Sequence, residues 1–272
     1  MARIALLQMT SGIDPVANYA VLAEAAATAR EGGAQILFTP EMSLLLDRDR
    51  TRSSAHMVTQ AASPYISRLQ GLADELSLHI ALGSMAVFRS GGRLANRSLF
   101  FAPDQEQPYA YDKIHMFDVD LPDGESWRES AAYAPGDKVV TIDSTPVGRL
   151  GLTVCYDLRF PALFDALGMR ACDVIAVPAA FTFPTGQAHW HVLLRARAIE
   201  ASAYIVAAAQ VGLHEDGRRT YGHSLVVDPW GEVLLDIGGE KPGLAFAEVN
   251  FGRIAEVRRQ LPSLANRRTI AK

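Results

Sequence analysis

Short runs of Val, Ile, Leu and Phe alternate with longer stretches of helical period along almost the whole chain. That alternation confines the chain to an α/β architecture, because strands and helices that follow one another in this way cover each other's apolar faces. Strands are expected over 4–9, 35–38, 80–88, 94–102, 138–142, 148–154, 174–177, 204–209, 221–227, 233–237 and 244–249. Helices are expected over 18–30, where Gly32-Gly33 stops the first, then over 61–76, from 161 to 167, and over 187–201, with a basic segment from 254 to 272. The turn Ser90-Gly91-Gly92 joins two strands as a hairpin, so the sheets are mixed rather than wholly parallel. No repeat, low-complexity tract or linker breaks the pattern, and residues 1–272 are expected to form a single domain.

Composition removes several function classes. With 272 residues, 49% of them hydrophobic, the chain is long enough to bury a large core. Its 26 Lys and Arg face 30 Asp and Glu, a formal net charge of -4, and the basic residues are scattered, so nucleic acid is not an expected partner. Apolar stretches stay far below the roughly 18 to 20 residues of a spanning helix, and no membrane partner is expected. The first residues turn polar too soon for a secretory signal, and Cys155 and Cys172 are too few for a disulfide framework, which makes the cytoplasm the expected location. GxGxxG, GxxxxGK[ST] and HExxH are all missing. His189 and His191 stand two apart on a helix and point in different directions, so no metal and no cofactor are expected.

Three residues stand where chemistry is often placed. Cys155 ends the apolar run Leu152-Thr153-Val154 before a turn and a helix, a setting that exposes a thiol near backbone N–H groups and is expected to lower its pKa. Taken alone, a cysteine is more often a small buried hydrophobe. Glu41 follows Ile36-Leu37-Phe38-Thr39-Pro40, so its carboxylate is partly desolvated and suited to proton transfer, although a helix-start acid has the same look. Lys113, in Tyr111-Asp112-Lys113-Ile114-His115, is by itself an ordinary surface lysine. Each of the three follows a strand, and between Lys113 and Cys155 the stretch 111–137 is irregular and longer than a neutral connection should be.

Taken together, Phe38-Thr39-Pro40-Glu41, Tyr111-Asp112-Lys113-Ile114-His115 and Leu152-Thr153-Val154-Cys155-Tyr156-Asp157-Leu158-Arg159-Phe160-Pro161 closely resemble, in order and spacing, the motifs of the nitrilase superfamily of carbon–nitrogen hydrolases. The resemblance spans essentially the whole chain. It implies a four-layer α-β-β-α sandwich of two mixed sheets, a homodimer or higher homo-oligomer, and a Glu-Lys-Cys triad carried onto Glu41, Lys113 and Cys155. A second glutamate of the family falls on Glu129 better than on Glu125. The chemistry implied is attack by the Cys155 thiolate on an amide carbonyl, expulsion of ammonia, and hydrolysis of the thioester by water. Glu41 would shuttle the protons, Lys113 and the backbone N–H of Tyr156 would stabilise the oxyanion, and Glu129 would hold Lys113 and the substrate.

The segments 113–122, 185–190 and 193–200 resemble the branch that contains ω-amidase and deaminated glutathione amidase, and Tyr221-Gly222-His223-Ser224 with Asp228-Pro229-Trp230-Gly231 leans to the latter. The substrate implied is a primary amide of a small carboxylic acid. Arg197 and Glu200 have a plainer reading as an i,i+3 charge pair. A nitrile or N-carbamoyl hydrolase would use the same triad, whereas a non-catalytic binding protein on this fold would be expected to have lost one of its members. Arg159, four residues beyond Cys155, is expected either to read a substrate carboxylate or to pair with an acid such as Asp157. Arg195, Arg218 and Arg219 are the next candidates for that reading.

Overall fold

The computed structural model describes residues 1–120, 124 and 126–269. In chain order the first half runs β1 (Ala2–Gln8), α1 (Pro15–Glu31), β2 (Ile36–Phe38), α2 (Arg50–Ser53), α3 (Pro64–Leu76), β3 (His79–Phe88), β4 (Leu94–Phe101) and β5 (Tyr109–Asp112). A small ribbon, β6 (Asp118–Asp120) with β7 (Ser126–Arg128), follows. The second half runs β8 (Thr141–Thr145), β9 (Gly148–Leu152), α4 (Pro161–Met169), β10 (Val174–Ala176), α5 (Phe183–Ala201), β11 (Tyr204–Ala207), β12 (Val211–Leu213), β13 (Arg219–Tyr221), β14 (Leu225–Val227), β15 (Val233–Asp236), β16 (Gly243–Val249) and α6 (Phe251–Gln260).

Two six-stranded sheets result, ordered β16-β1-β2-β3-β4-β5 and β15-β14-β11-β10-β9-β8. In each, three central strands are parallel and antiparallel strands flank them, so both sheets are mixed. The period-2 alternation of β1 shows how the layers stack. Ile4 and Leu6 face a core shared with Leu150, Leu152, Val174 and Val206 of the second sheet. Ala5 and Leu7 face a second core with Leu22, Ala26 and Ala29 of α1 and Leu69 and Ala73 of α3. Phe164 of α4 and Leu194 and Ala198 of α5 cover the second sheet. The layers are therefore helix, sheet, sheet, helix, as the resemblance implied.

Helix ends follow the expected chemistry. Asp14 caps α1 by accepting from Val16 N at 2.9 Å, and Pro15 sits in its first turn, so this helix starts three residues before the expected 18. Other regions differ from the expectation, beginning with the strand expected over 138–142, which lies at Thr141–Thr145. The apolar run 221–227 splits, because Gly222 and His223 both take a left-handed φ, of 73° and 54°, and turn the chain out of β13 before β14 begins. The stretch 111–137 holds the end of β5, the ribbon and a turn of 3₁₀ helix at Glu129–Ala131, none of them long enough to show a period.

Strand direction, more than strand content, brings separate segments of the chain to one place. β2 and β5 run the same way in the first sheet, since β5 is antiparallel to β4 and β4 to β3. Met9, just past β1, bridges in parallel to Gln210, just past β11. The carboxyl ends of the parallel strands of both sheets thus meet at one end of the sandwich. No helix among the described residues is long and apolar enough to cross a membrane.

Candidate active site

Three residues past β2, Glu41 sits in a turn held by side chains. Thr39 Oγ1 accepts from Gly83 N at 3.0 Å, Ser43 Oγ donates to Pro40 O at 2.6 Å, and Ser84 Oγ accepts from Met42 N at 3.0 Å. A Cβ at Gly83 would lie 2.2 Å from the carbonyl oxygens of Thr39 and Pro40, so only glycine lets β3 pass this close. Lys113, directly past β5, is pinned by its own N–H to Asn96 O at 2.9 Å and by Gly136 N to its carbonyl at 2.8 Å. Cys155, three residues past β9, opens a 3₁₀ turn over Cys155–Arg159 with a left-handed φ of 50° and donates its N–H to Pro178 O at 2.8 Å. That backbone is unusual for a residue with a Cβ and turns the chain sharply where the strand ends.

The side chains converge. Lys113 Nζ stands 3.1 Å from Glu41 Oε1, and 3.1 and 2.9 Å from the two oxygens of Glu129. Glu41 Oε2 accepts from Ala180 N at 2.9 Å, and Glu129 Oε2 from Phe117 N at 2.7 Å. All four residues, Cys155 included, line one cavity of about 540 Å³. Glu125 lies outside the described residues.

Electrostatics sharpen the arrangement and overturn one expectation. Burial alone would draw the Lys113 ammonium down, yet Glu129, Glu41 and Cys155 outweigh it and hold Lys113 well above the usual lysine range. Burial pushes the Cys155 thiol well up, and the neighbouring Glu41 carboxylate adds to this against the opposing pull of Lys113. The turn's N–H groups therefore do not make a resting thiolate. Burial and the charge of Glu41 favour the thiol over the thiolate.

Several residues of this site gave no sign in the sequence. Asn96 on β4, buried, donates from Nδ2 to Glu41 Oε1 at 2.8 Å and to Glu129 Oε1 at 3.1 Å, which holds the two carboxylates together. Gln210 Nε2 donates to the Glu41 carbonyl at 2.9 Å. Asp157, fully buried, accepts from Tyr111 Oη at 2.6 Å, His115 N at 3.0 Å and Val154 N at 2.9 Å, and its Oδ1 lies 2.7 Å from His115 Nδ1. These contacts tie the strand before Lys113 to the turn that opens at Cys155. Asn and Asp have no periodicity to betray such roles, and their partners are distant in sequence.

Asp157 is thus engaged elsewhere, and among the described residues Arg159 has no acidic partner. Its guanidinium touches His189 Nδ1 at 3.2 Å, lies over the rings of Phe181 and Tyr156, and faces the cavity. Arg48, Arg50, Arg128, Arg218 and Arg219 line the same cavity. Arg218 pairs with Asp216, whereas Arg195 donates to Gly231 O at 2.7 Å and stays outside the lining. Arg197 pairs with Glu200 at 2.8 Å, as its spacing suggested, and also donates to Leu158 O, which braces the turn after Cys155.

The model of the Carbon-nitrogen hydrolase family matches residues 3–259. Deaminated glutathione amidase of Synechocystis sp. (strain PCC 6803 / GT-S) is 40% identical over 266 residues, covering 97% of each chain. Among solved structures, Saccharomyces cerevisiae Nit3, described as a member of branch 10 of the nitrilase superfamily, is similar with a TM-score of 0.85 and 26% identity over 96% of this chain and 94% of its own. A glutamate-to-glutamine mutant of the amidase from Nesterenkonia sp. AN1, which shows Michael addition of acrylamide at its active-site cysteine, has a TM-score of 0.76 and 28% identity over 96% of this chain and 98% of its own. With sequence and architecture matched over nearly its full length, this chain belongs to the carbon–nitrogen hydrolase family.

Proposed function

We propose that the chain is a thiol-dependent amidase in which Cys155 is the nucleophile, Glu41 the general acid and base, Lys113 the oxyanion partner and Glu129 the residue that positions Lys113. The observation that carries this reading is the meeting of Cys155, Glu41, Lys113 and Glu129 in one cavity, from four separate segments of the chain. The adduct at the active-site cysteine of the related Nesterenkonia amidase supports it. Because its surroundings favour the Cys155 thiol over the thiolate, the proton passes to Glu41 as the sulfur bonds to the amide carbonyl. The developing oxyanion faces the Lys113 ammonium and the N–H of Tyr156, one of the leading donors of the 3₁₀ turn with no acceptor inside it. Glu41 then returns the proton to the departing nitrogen and activates the water that cleaves the thioester.

The substrate in this reading is an amide bearing carboxylates, with deaminated glutathione first and ω-amide acids such as α-ketoglutaramate second. Support comes from the name of the 40% identical relative and from Arg48, Arg50, Arg159 and Arg219, which line the cavity with no acidic partner among the described residues and draw anions to it, whereas Arg128 and Arg218 are paired with Asp120 and Asp216. Both amides of deaminated glutathione are secondary, so an amine leaves from it, and ammonia leaves only from primary ω-amides. Arg159, facing the cavity without an acidic partner among the described residues, is the carboxylate reader of this proposal. The core shared by both sheets supports one domain over the chain. The exposed Val192, Ile199, Trp230 and Leu234 support a homodimer, and a nucleophilic thiol suits the reducing cytoplasm. A panel of deaminated glutathione, α-ketoglutaramate, a nitrile and an N-carbamoyl acid tests the reading: turnover of either amide supports it, and turnover of the nitrile or carbamoyl compound alone overturns it.

A further inference from the structure

Away from the cavity, three side chains from separate elements meet on the outer side of the second sheet. His191 comes from α5, His223 from the bend between β13 and β14, and Asp236 from the end of β15. His191 Nε2 lies 3.1 Å from Asp236 Oδ2, and His223 Nδ1 lies 3.0 and 3.1 Å from the two Asp236 oxygens. One ligand atom from each falls within 4.8 Å of the others, and none of the three lines the cavity.

We propose that His191, His223 and Asp236 form a binding site for a divalent transition-metal ion, separate from the amidase site. Two imidazoles and one carboxylate are a ligand set that zinc, nickel, cobalt and copper accept. Ligand atoms about 2.0–2.2 Å from an ion, at angles between octahedral and tetrahedral, stand roughly 2.9–3.5 Å apart, and the three nitrogen-to-oxygen distances fall in that range. Only the two imidazoles have to approach each other further. The side chain of His191 is 34% exposed, which leaves the ion open to water on that side, and its ring packs edge-on against that of His223 with centroids 5.0 Å apart.

The surroundings present His223 and Asp236 toward this point. His223 takes its left-handed φ of 54° with its N–H on Gly238 O at 2.9 Å and its carbonyl held by Trp190 Nε1 at 2.8 Å. Its ring stacks on Tyr221 with centroids 4.4 Å apart, and Asp236 Oδ1 accepts from Gly238 N at 2.8 Å. On coordination each imidazole offers the lone pair of the nitrogen that faces Asp236 and carries its proton on the other nitrogen, so no redox step is involved. The ion would clamp α5 to the edge of the second sheet.

The experiment uses a Cys155→Ala host, so that the active-site thiol cannot supply a ligand. Cobalt(II) is titrated into it and followed by visible absorption, with zinc chloride competition and thermal unfolding in parallel. The expected result is one bound equivalent, visible d–d bands displaced by zinc, and a Tm raised by about 4 °C at a tenfold excess over Kd. His191→Ala and Asp236→Asn, added separately to the host, should each lose the bands and at least about tenfold in affinity. Binding of the same strength in both variants, or no binding in the host, overturns the proposal. Proteins with unchanged circular dichroism and unchanged metal-free Tm make a loss in the variants specific to the ligands.

Discussion

Tyr111 and Asp157 share a buried hydrogen bond of 2.6 Å between residues 46 apart in sequence. Burial, with the adjoining Asp157 carboxylate, pushes the Tyr111 hydroxyl up and keeps it a donor. Lys113 stands two residues beyond the donor and Cys155 two before the acceptor, so this one bond sets the registry of two segments that the proposed mechanism needs together. Asp157 is in this sense a positioning residue.

Replacing Asp157 with Ala strands the donors of Tyr111, His115 and Val154 in the interior. The expected loss is about 3–5 kcal/mol of stability, read from urea unfolding. In Asp157→Asn, which keeps the shape and one acceptor, kcat should fall while KM changes little. A KM rise with unchanged kcat would place Asp157 in substrate binding instead.

Cys155 is expected to carry the label when iodoacetamide inactivates the enzyme, in a one-to-one relation followed by mass spectrometry. Cys172 is buried and its thiol is pushed up to about 12, mainly by that burial, so it should stay unlabelled. Cys172→Ala should retain activity and Cys155→Ala should lose at least about 10³-fold in kcat. The opposite pattern ends the assignment.

Glu41 and Lys113 contact each other at 3.1 Å and should act as a unit. Glu41→Gln and Lys113→Ala are each expected to cost about 10³-fold or more in kcat/KM, and the double variant little beyond the worse of the two. Losses that multiply would separate their roles.

Arg159→Leu should lower kcat/KM for an ω-amide acid by about 2–4 kcal/mol, or roughly 30-fold to 1000-fold, and affect a neutral amide of equal length much less. Equal losses on both, with a lower Tm, would return Arg159 to a structural role.

Stability should decline as pH rises beyond about 9. Both Cys155 and Lys113 hold their protons more tightly folded than unfolded, and the unfolded chain releases them near 8.5 and 10.4. Their contribution is full below those values and is lost above them. The urea midpoint should therefore be lower at pH 10 than at pH 8, with a smaller drop in Cys155→Ala; an equal drop would mean that the thiol titrates normally.

Local pattern determined much of this protein. The apolar runs of β1 and of β9 to β11 and the alanine-rich stretch of α1 are properties of neighbouring residues, so the α/β class and the strand-end positions of Glu41 and Cys155 are readable from the chain alone, whereas the four layers were implied only by the family resemblance. The motifs around those three residues carry the family as well. What waited on the tertiary structure is whatever depends on partners far away in sequence. Asn96 joins Glu41 to Glu129, Asp157 serves Tyr111 rather than Arg159, and His191 finds His223 and Asp236 instead of His189. The thiol's titration reversed its expected direction for the same reason. Helix-start N–H groups are a local feature, but burial and the charge of Glu41 come from the packing of two sheets, and at this depth they prevail.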